Sequence, residues 1–144
     1  MLQYHFHWKT LSVAAGMTWW NFYFQIFEKV IGAVETVEFL LHLLLHLAGP
    51  LLTVWERLPA HRSRFVWDFI RDLKDLITIE YLPAYAPELN PVEYLWGHWK
   101  HHQLPNVCSQ DLRQLSEAAP CRLRCLRRRP RLITACWKQA SLFA

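Results

Sequence analysis

Tyr4, Phe6 and Trp8 alternate with His5, His7 and Lys9, and Leu11, Val13 and Ala15 carry the alternation on after a one-residue shift. A period of two predicts a half-buried strand, with the shift read as a bulge. Asn21–Phe27, NFYFQIF, predicts a second strand rich in β-forming aromatics. The GMTWW link between them suits an antiparallel hairpin.

From Ala33 to Ala48 the period changes. Glu35, Glu38, His42 and His46 fall on one narrow stripe of an otherwise apolar segment. That predicts a mostly buried helix with one solvated face, ended by Gly49-Pro50. Leu51–Trp55, LLTVW, is continuously apolar, as in a strand covered on both faces. A helix is expected from about Arg62 to Asp75, with Phe65, Val66, Phe69, Ile70 and Leu73 inward. Ile77–Tyr81 predicts another strand, Leu82–Leu89 a Pro-containing loop, and 90–102 a helix with Asn90 as N-cap and Pro91 at its first position. Val92, Leu95, Trp96 and Trp99 form its apolar side. A helical tail follows, interrupted at Pro120 and Pro130. The order β-β-α-β-α-β-α-α is that of a three-layer α/β fold with a mixed sheet.

The chain has 144 residues, 53% of them hydrophobic and 19% charged. That is enough apolar matter for the core of one domain, so wholesale disorder is excluded. The net charge of +4 is unevenly placed. Between Arg113 and Lys138 lie Arg113, Arg122, Arg124, Arg127, Arg128, Arg129, Arg131 and Lys138, against the single acid Glu117. A basic tail fits a polyanion such as nucleic acid; a solvated helix face is the alternative. The longest apolar run, Phe39–Leu52, is broken by His42, His46 and Pro50 and is too short to span a bilayer. No secretory leader is evident. A cytoplasmic protein is expected, with Cys108, Cys121, Cys125 and Cys136 reduced.

In open α/β sheets, ligands gather beyond the C-terminal ends of parallel strands. Glu56 directly follows the LLTVW strand, and Glu93 lies in the first turn of the helix after the last strand. Two carboxylates on such edges can hold divalent cations for phosphodiester chemistry. Glu93 also sits three residues after Asn90, where a glutamate closes a capping box. Glu38, His42 and His46 imitate a zinc stripe, but they coincide with the solvated face of their helix. Cys121 and Cys125 have no matching second pair.

The stretch Leu82–Lys100, LPAYAPELNPVEYLWGHWK, resembles the most recognisable segment of bacterial mariner-type DDE transposases of insertion sequences. HWKTLSVAAGMT, the leucine-rich helix, LLTVWERLPAHRSR and the terminal RRRPRLITACWKQASLF follow the same family in the same order. The resemblance implies a ribonuclease H-like fold, a Mg²⁺- or Mn²⁺-dependent cutting and joining of DNA, and transposon ends and target DNA as partners. Glu93 matches the last glutamate of the acidic triad. Glu56, separated from it by 36 residues, stands where the family has its second aspartate. Both are thereby implied as catalytic and metal-binding residues. His61, Arg62, Lys100, Arg127, Arg128 and Arg129 are candidate DNA contacts; for His61 a backbone bond at a helix start is equally open, and for Lys100 simple exposure.

Two departures shape the expectation. The family's first aspartate lies on a strand upstream of the segment matching His7–Val13, and no acid precedes that segment here. Position 56 is Glu, one methylene longer than Asp, whereas such sites tolerate about 0.5 Å. The expectation is a partial catalytic domain, truncated at the N-terminus, whose first, central strand is missing. Its core is expected over about 4–103 and its basic helical tail over about 109–144. Its activity is expected to be impaired or lost. The alternative is a non-enzymatic DNA-binding or oligomerising remnant. A second copy or a complementing N-terminal chain is the partner implied, and no membrane.

Overall fold

A computed structural model describes residues 2–6, 9–102, 112–140 and Leu142. The chain divides into two compact units, Ile31–Ala86 and a second unit of Met1–Val30 with Pro87–Ala144.

The second unit holds an antiparallel meander of β1 (Leu2–Phe6), β2 (Lys9–Met17) and β3 (Phe22–Phe27), in that spatial order. The N-terminal alternation is therefore two strands, not one bulged strand. Phe6 pairs with Lys9 and Leu2 with Val13, so every paired number sums to 15. Partners directly across a ladder share a face, and an odd sum moves the alternation from even to odd positions. A tight hairpin gives the same one-residue phase shift as a bulge. The expectation that the first strand is missing is corrected as well. A strand, Leu2–Phe6, precedes β2 and pairs with it.

Val13, Ala15 and Met17 of β2 stand opposite Ile26, Phe24 and Phe22 of β3. They form one apolar face, packed with Leu95, Trp96 and Trp99 of α3 (Pro91–His102). Leu123 and Leu126 of α4 (Leu112–Arg127) and Ile133 and Cys136 of α5 (Pro130–Ala140) complete this core. Asn90 caps α3 as its sequence predicts, its Oδ1 accepting from the Val92 amide at 3.1 Å. The helical tail is interrupted before Pro130, as predicted, and Pro130 opens α5, but Pro120 lies inside α4 without ending it. Proline removes one backbone bond. Ala119, Leu123 and Leu126 are all buried on the same helix face, and their packing outweighs that loss. Cys108 and the link at 103–111 lie outside the described residues.

The Ile31–Ala86 unit pairs β4 (Leu51–Trp55) in parallel with β5 (Ile77–Tyr81). Among the described residues, the strands of the expected single mixed sheet pair as two sheets, one antiparallel and one parallel. Ile77 packs with Leu40 of α1 (Ala33–His46) and with Val66 and Ile70 of α2 (Arg64–Asp72). Ser63 caps α2, its Oγ accepting from the Val66 amide at 3.3 Å. Lys74, at φ 51, ends it just past Leu73, short of the predicted Asp75 because a left-handed residue cannot continue a right-handed helix.

Three expectations of burial fail in this unit. β4 is covered on one face only; Leu52 is 67% exposed, because Leu51, Thr53 and Trp55 face the other way. Phe65 of α2 is 53% exposed, being at the helix start outside the Val66–Ile70 ridge. On α1 the polar stripe is solvated only in part: Glu38 and His46 are exposed and His42 half-buried, but Glu35 is not. Glu35 is buried, and its Oε2 accepts from the Gly32 amide at 2.9 Å, closing the helix start. Val34, Leu41 and Leu45 are exposed as well, with Leu45 at 84%.

Candidate functional site

The C-terminal ends of β4 and β5 carry one set of candidates. Glu56 leaves β4 directly and is half-buried. The chain turns back through a short 3-10 turn, Ala60–Arg62, that brings His61 over the strand end. The His61 ring stacks on Trp55, centroids 4.2 Å apart and planes 10° from parallel. Its Nδ1 lies 2.9 Å from the Glu56 carbonyl oxygen. A carbonyl only accepts, so Nδ1 carries the proton and the neutral ring keeps its lone pair on Nε2. Burial lowers the His61 pKa, outweighing the opposing pull of the Glu56 carbonyl bond and the Glu56 charge.

Tyr81, at the end of β5, locks the turn from below. Its hydroxyl donates to the His61 carbonyl at 3.2 Å, and the Arg57 guanidinium lies 5.6 Å from the centre of its ring. Leu82 ties the two strand ends by donating to the Trp55 carbonyl at 2.9 Å. Arg62 is exposed on the same turn. Trp55 and Tyr81 were not singled out by sequence reasoning; their one signal was an aromatic residue closing each strand.

The other candidates belong to the second unit. Glu93 is half-buried in the first turn of α3, where the helix dipole favours a carboxylate. Lys100 is exposed seven residues later, close to two helical turns. Between them, a side chain added at Gly97 would meet nothing within 4 Å. Arg127 closes α4, and Arg128 and Arg129 lead into α5; all three are exposed.

The structure thus gathers Glu56, His61 and Arg62 on one strand edge, and carries Glu93 with Lys100 on α3. Glu56 and Glu93 belong to different units. Among the described residues, no three of His, Cys, Asp and Glu come together to hold a metal ion. β1, LQYHF, contributes no acid. This donor set does not fit a site in which shared carboxylates clamp two cations. On α1, the His42 and His46 rings lie 4.3 Å apart and tilted by 35°, and among the described residues no group of three metal-ligating side chains forms there, as a zinc site would need. Cys121 and Cys125 are exposed thiols on α4. Among the described residues, no helix is long and apolar enough to cross a membrane.

A family model described as DDE superfamily endonuclease matches residues 2–116. The chain belongs to this family. Solved structures of the Mos1 mariner transposase share its fold. The Mos1 catalytic domain with Raltegravir and Mg superposes with a TM-score of 0.66 at 15% identity, over 96% of this chain and 78% of that one. The Mos1 paired end complex with Mn gives 0.68 at 16% identity, over 98% of this chain and 45% of that one. The Mos1 Strand Transfer Complex gives 0.67 at 17%, over 98% and 44%. No curated protein matches the chain. The ribonuclease H-like expectation for this DDE-family chain is met at the level of the fold.

Proposed function

We propose that this chain is a transposase catalytic domain that engages transposon-end and target DNA, and whose cleavage and strand-transfer steps are impaired. The family match across residues 2–116, which spans both candidate carboxylates, carries this reading. DNA engagement is supported by Arg127, Arg128 and Arg129, exposed in one run, and by Lys100 beside the open surface at Gly97. Contacts of this kind neutralise phosphates without reading sequence. On the other unit, His61 holds the backbone at Glu56, and its Nε2 lone pair can accept a hydrogen bond from water or a nucleotide hydroxyl.

The impairment follows from the acids. β1 brings none, and Glu56 is longer than the aspartate the resemblance calls for. A productive constellation needs three carboxylates within fractions of an ångström. A second copy or a separate N-terminal chain would have to supply the missing acid. The acid-free β1 equally favours a second reading, a non-enzymatic DNA-binding remnant.

Plasmid nicking in Mg²⁺ or Mn²⁺, run beside salt-dependent DNA binding, tests both. The expected result is binding that weakens steeply between about 50 and 200 mM salt and no nicking above that of Glu93→Gln. A cation-dependent nick absent from Glu93→Gln would reject the impairment. Failure to bind DNA at low salt would reject both readings.

A further inference from the structure

β2 and β3 are joined by a closed turn, Thr18–Asn21. The Thr18 amide and hydroxyl both donate to the Asn21 carbonyl, at 2.8 and 3.1 Å. The Asn21 amide donates back to Thr18 Oγ1 at 3.2 Å, and Asn21 Oδ1 accepts from the Phe22 amide at 2.9 Å. The two central positions, where hairpin turns favour Asn and Gly, are Trp19 and Trp20. Both indoles are held out at the tip, Trp19 51% and Trp20 73% exposed. The turn's own bonds need neither ring.

The tip is fixed to α5. Trp137 Nε1 donates to the Thr18 carbonyl at 2.7 Å, and its ring lies 4.5 Å from that of Trp19. Trp137 flanks the face of α5 formed by Pro130, Arg131, Thr134, Ala135 and Lys138, all exposed. α5 contains no acid, and Arg131 and Lys138 are both exposed.

We propose that this tip and the exposed face of α5 together form a site for unpaired nucleotides. Trp20 stacks on a base, and Arg131 and Lys138 take the adjoining phosphates. The chemistry selects the ligand. Two indoles offer flat π-faces, which every base can stack on, and the charge on α5 is wholly cationic, matching a polyanion. A protein partner would need far more apolar surface than two rings for a stable interface, and acids to meet the arginines. A closed turn braced by a second helix keeps the indoles in place before binding, so little ordering entropy is lost on contact. The assignment rests on the DNA-engaging reading above and adds to it a preference for single strands.

The test uses the full chain, with fluorescence anisotropy on a labelled oligothymidylate of about 20 nucleotides and on a duplex of equal length. Trp20→Ala is expected to weaken the single strand about tenfold, with duplex affinity and salt dependence unchanged. Trp20→Phe should retain most of the single-strand affinity. Equal loss on both ligands, or no loss on either, overturns the site. If the unsubstituted chain binds duplex but Trp20→Ala changes nothing, only this site falls. If it binds neither ligand at low salt, the DNA-engaging reading falls too. Self-association that disappears in Trp20→Ala, with DNA binding intact, would reassign the tip to contact between copies and overturn the proposal.

Discussion

His61 closes a ring of interactions with Glu56: five residues apart, they are joined by an Nδ1–H bond to the Glu56 carbonyl at 2.9 Å while the imidazole lies flat on Trp55. The bond fixes the tautomer, and the stack fixes the plane. Replacing His61 with Ala removes both and leaves the Glu56 carbonyl without this partner. We expect a loss of about 1–3 kcal/mol in urea unfolding. A loss below a few tenths would mean that the turn holds itself without the imidazole.

The same residue gives a pH dependence with a defined sign. Burial lowers the His61 pKa below its ordinary 6.5. Below that value the unfolded chain takes up the proton first, so acid favours unfolding; above it both states are neutral and the effect vanishes. The melting temperature should therefore fall as pH drops below about 6.5, and fall less steeply in His61→Gln. Parallel pH profiles for the two chains would contradict the assignment.

Glu35 shows how a correct residue list can hide a wrong role. Its position on the predicted polar stripe was legible, but its burial was not. Periodicity places a residue on a face; it does not say whether a neighbouring amide, here Gly32, will use the carboxylate. Glu35→Ala should cost about 1 kcal/mol, measured by thermal or urea unfolding, whereas Glu38→Ala, exposed on the same helix, should cost almost nothing. Equal effects would return Glu35 to the solvated face.

Lys74 stops α2 in a left-handed conformation, φ 51. A side chain there costs about 1 kcal/mol that glycine avoids, partly offset by glycine's greater freedom when unfolded. Lys74→Gly should thus stabilise the chain by about 0.5 kcal/mol. Destabilisation would show that Lys74 contributes a contact larger than its strain.

Much of the fold was readable because the signals were local. β4 and β5 fall on the residues their apolar runs mark, and Asn90 and Pro91 open α3. What failed depended on the rest of the chain. The phase shift after Trp8 is equally a bulge or a hairpin until a partner register is known, and that ambiguity concealed β1. The apolar run of LLTVW promised cover on both faces, yet Leu52 faces solvent. The candidate carboxylates were found from a segment resemblance and from strand ends. Trp55 and Tyr81, which hold His61 in place, carry no charge and repeat no motif, so only the folded edge reveals them.

The acids permit one further expectation. A cation bound only by the folded chain raises its stability as RT ln(1 + [L]/Kd), about 2.7 kcal/mol at a hundredfold excess over Kd. No three-donor cluster is found among the described residues, and β1 supplies no carboxylate. Without a third carboxylate the Kd is expected to be too weak for that excess at millimolar cation. Thermal unfolding in Mn²⁺ should therefore match unfolding in chelator, with Glu93→Gln indistinguishable from the unsubstituted chain in both. A rise of several degrees that disappears in Glu93→Gln would mean that Glu93 joins a competent site in solution. The missing acid would then have to come from a second copy, and the rise should grow with protein concentration.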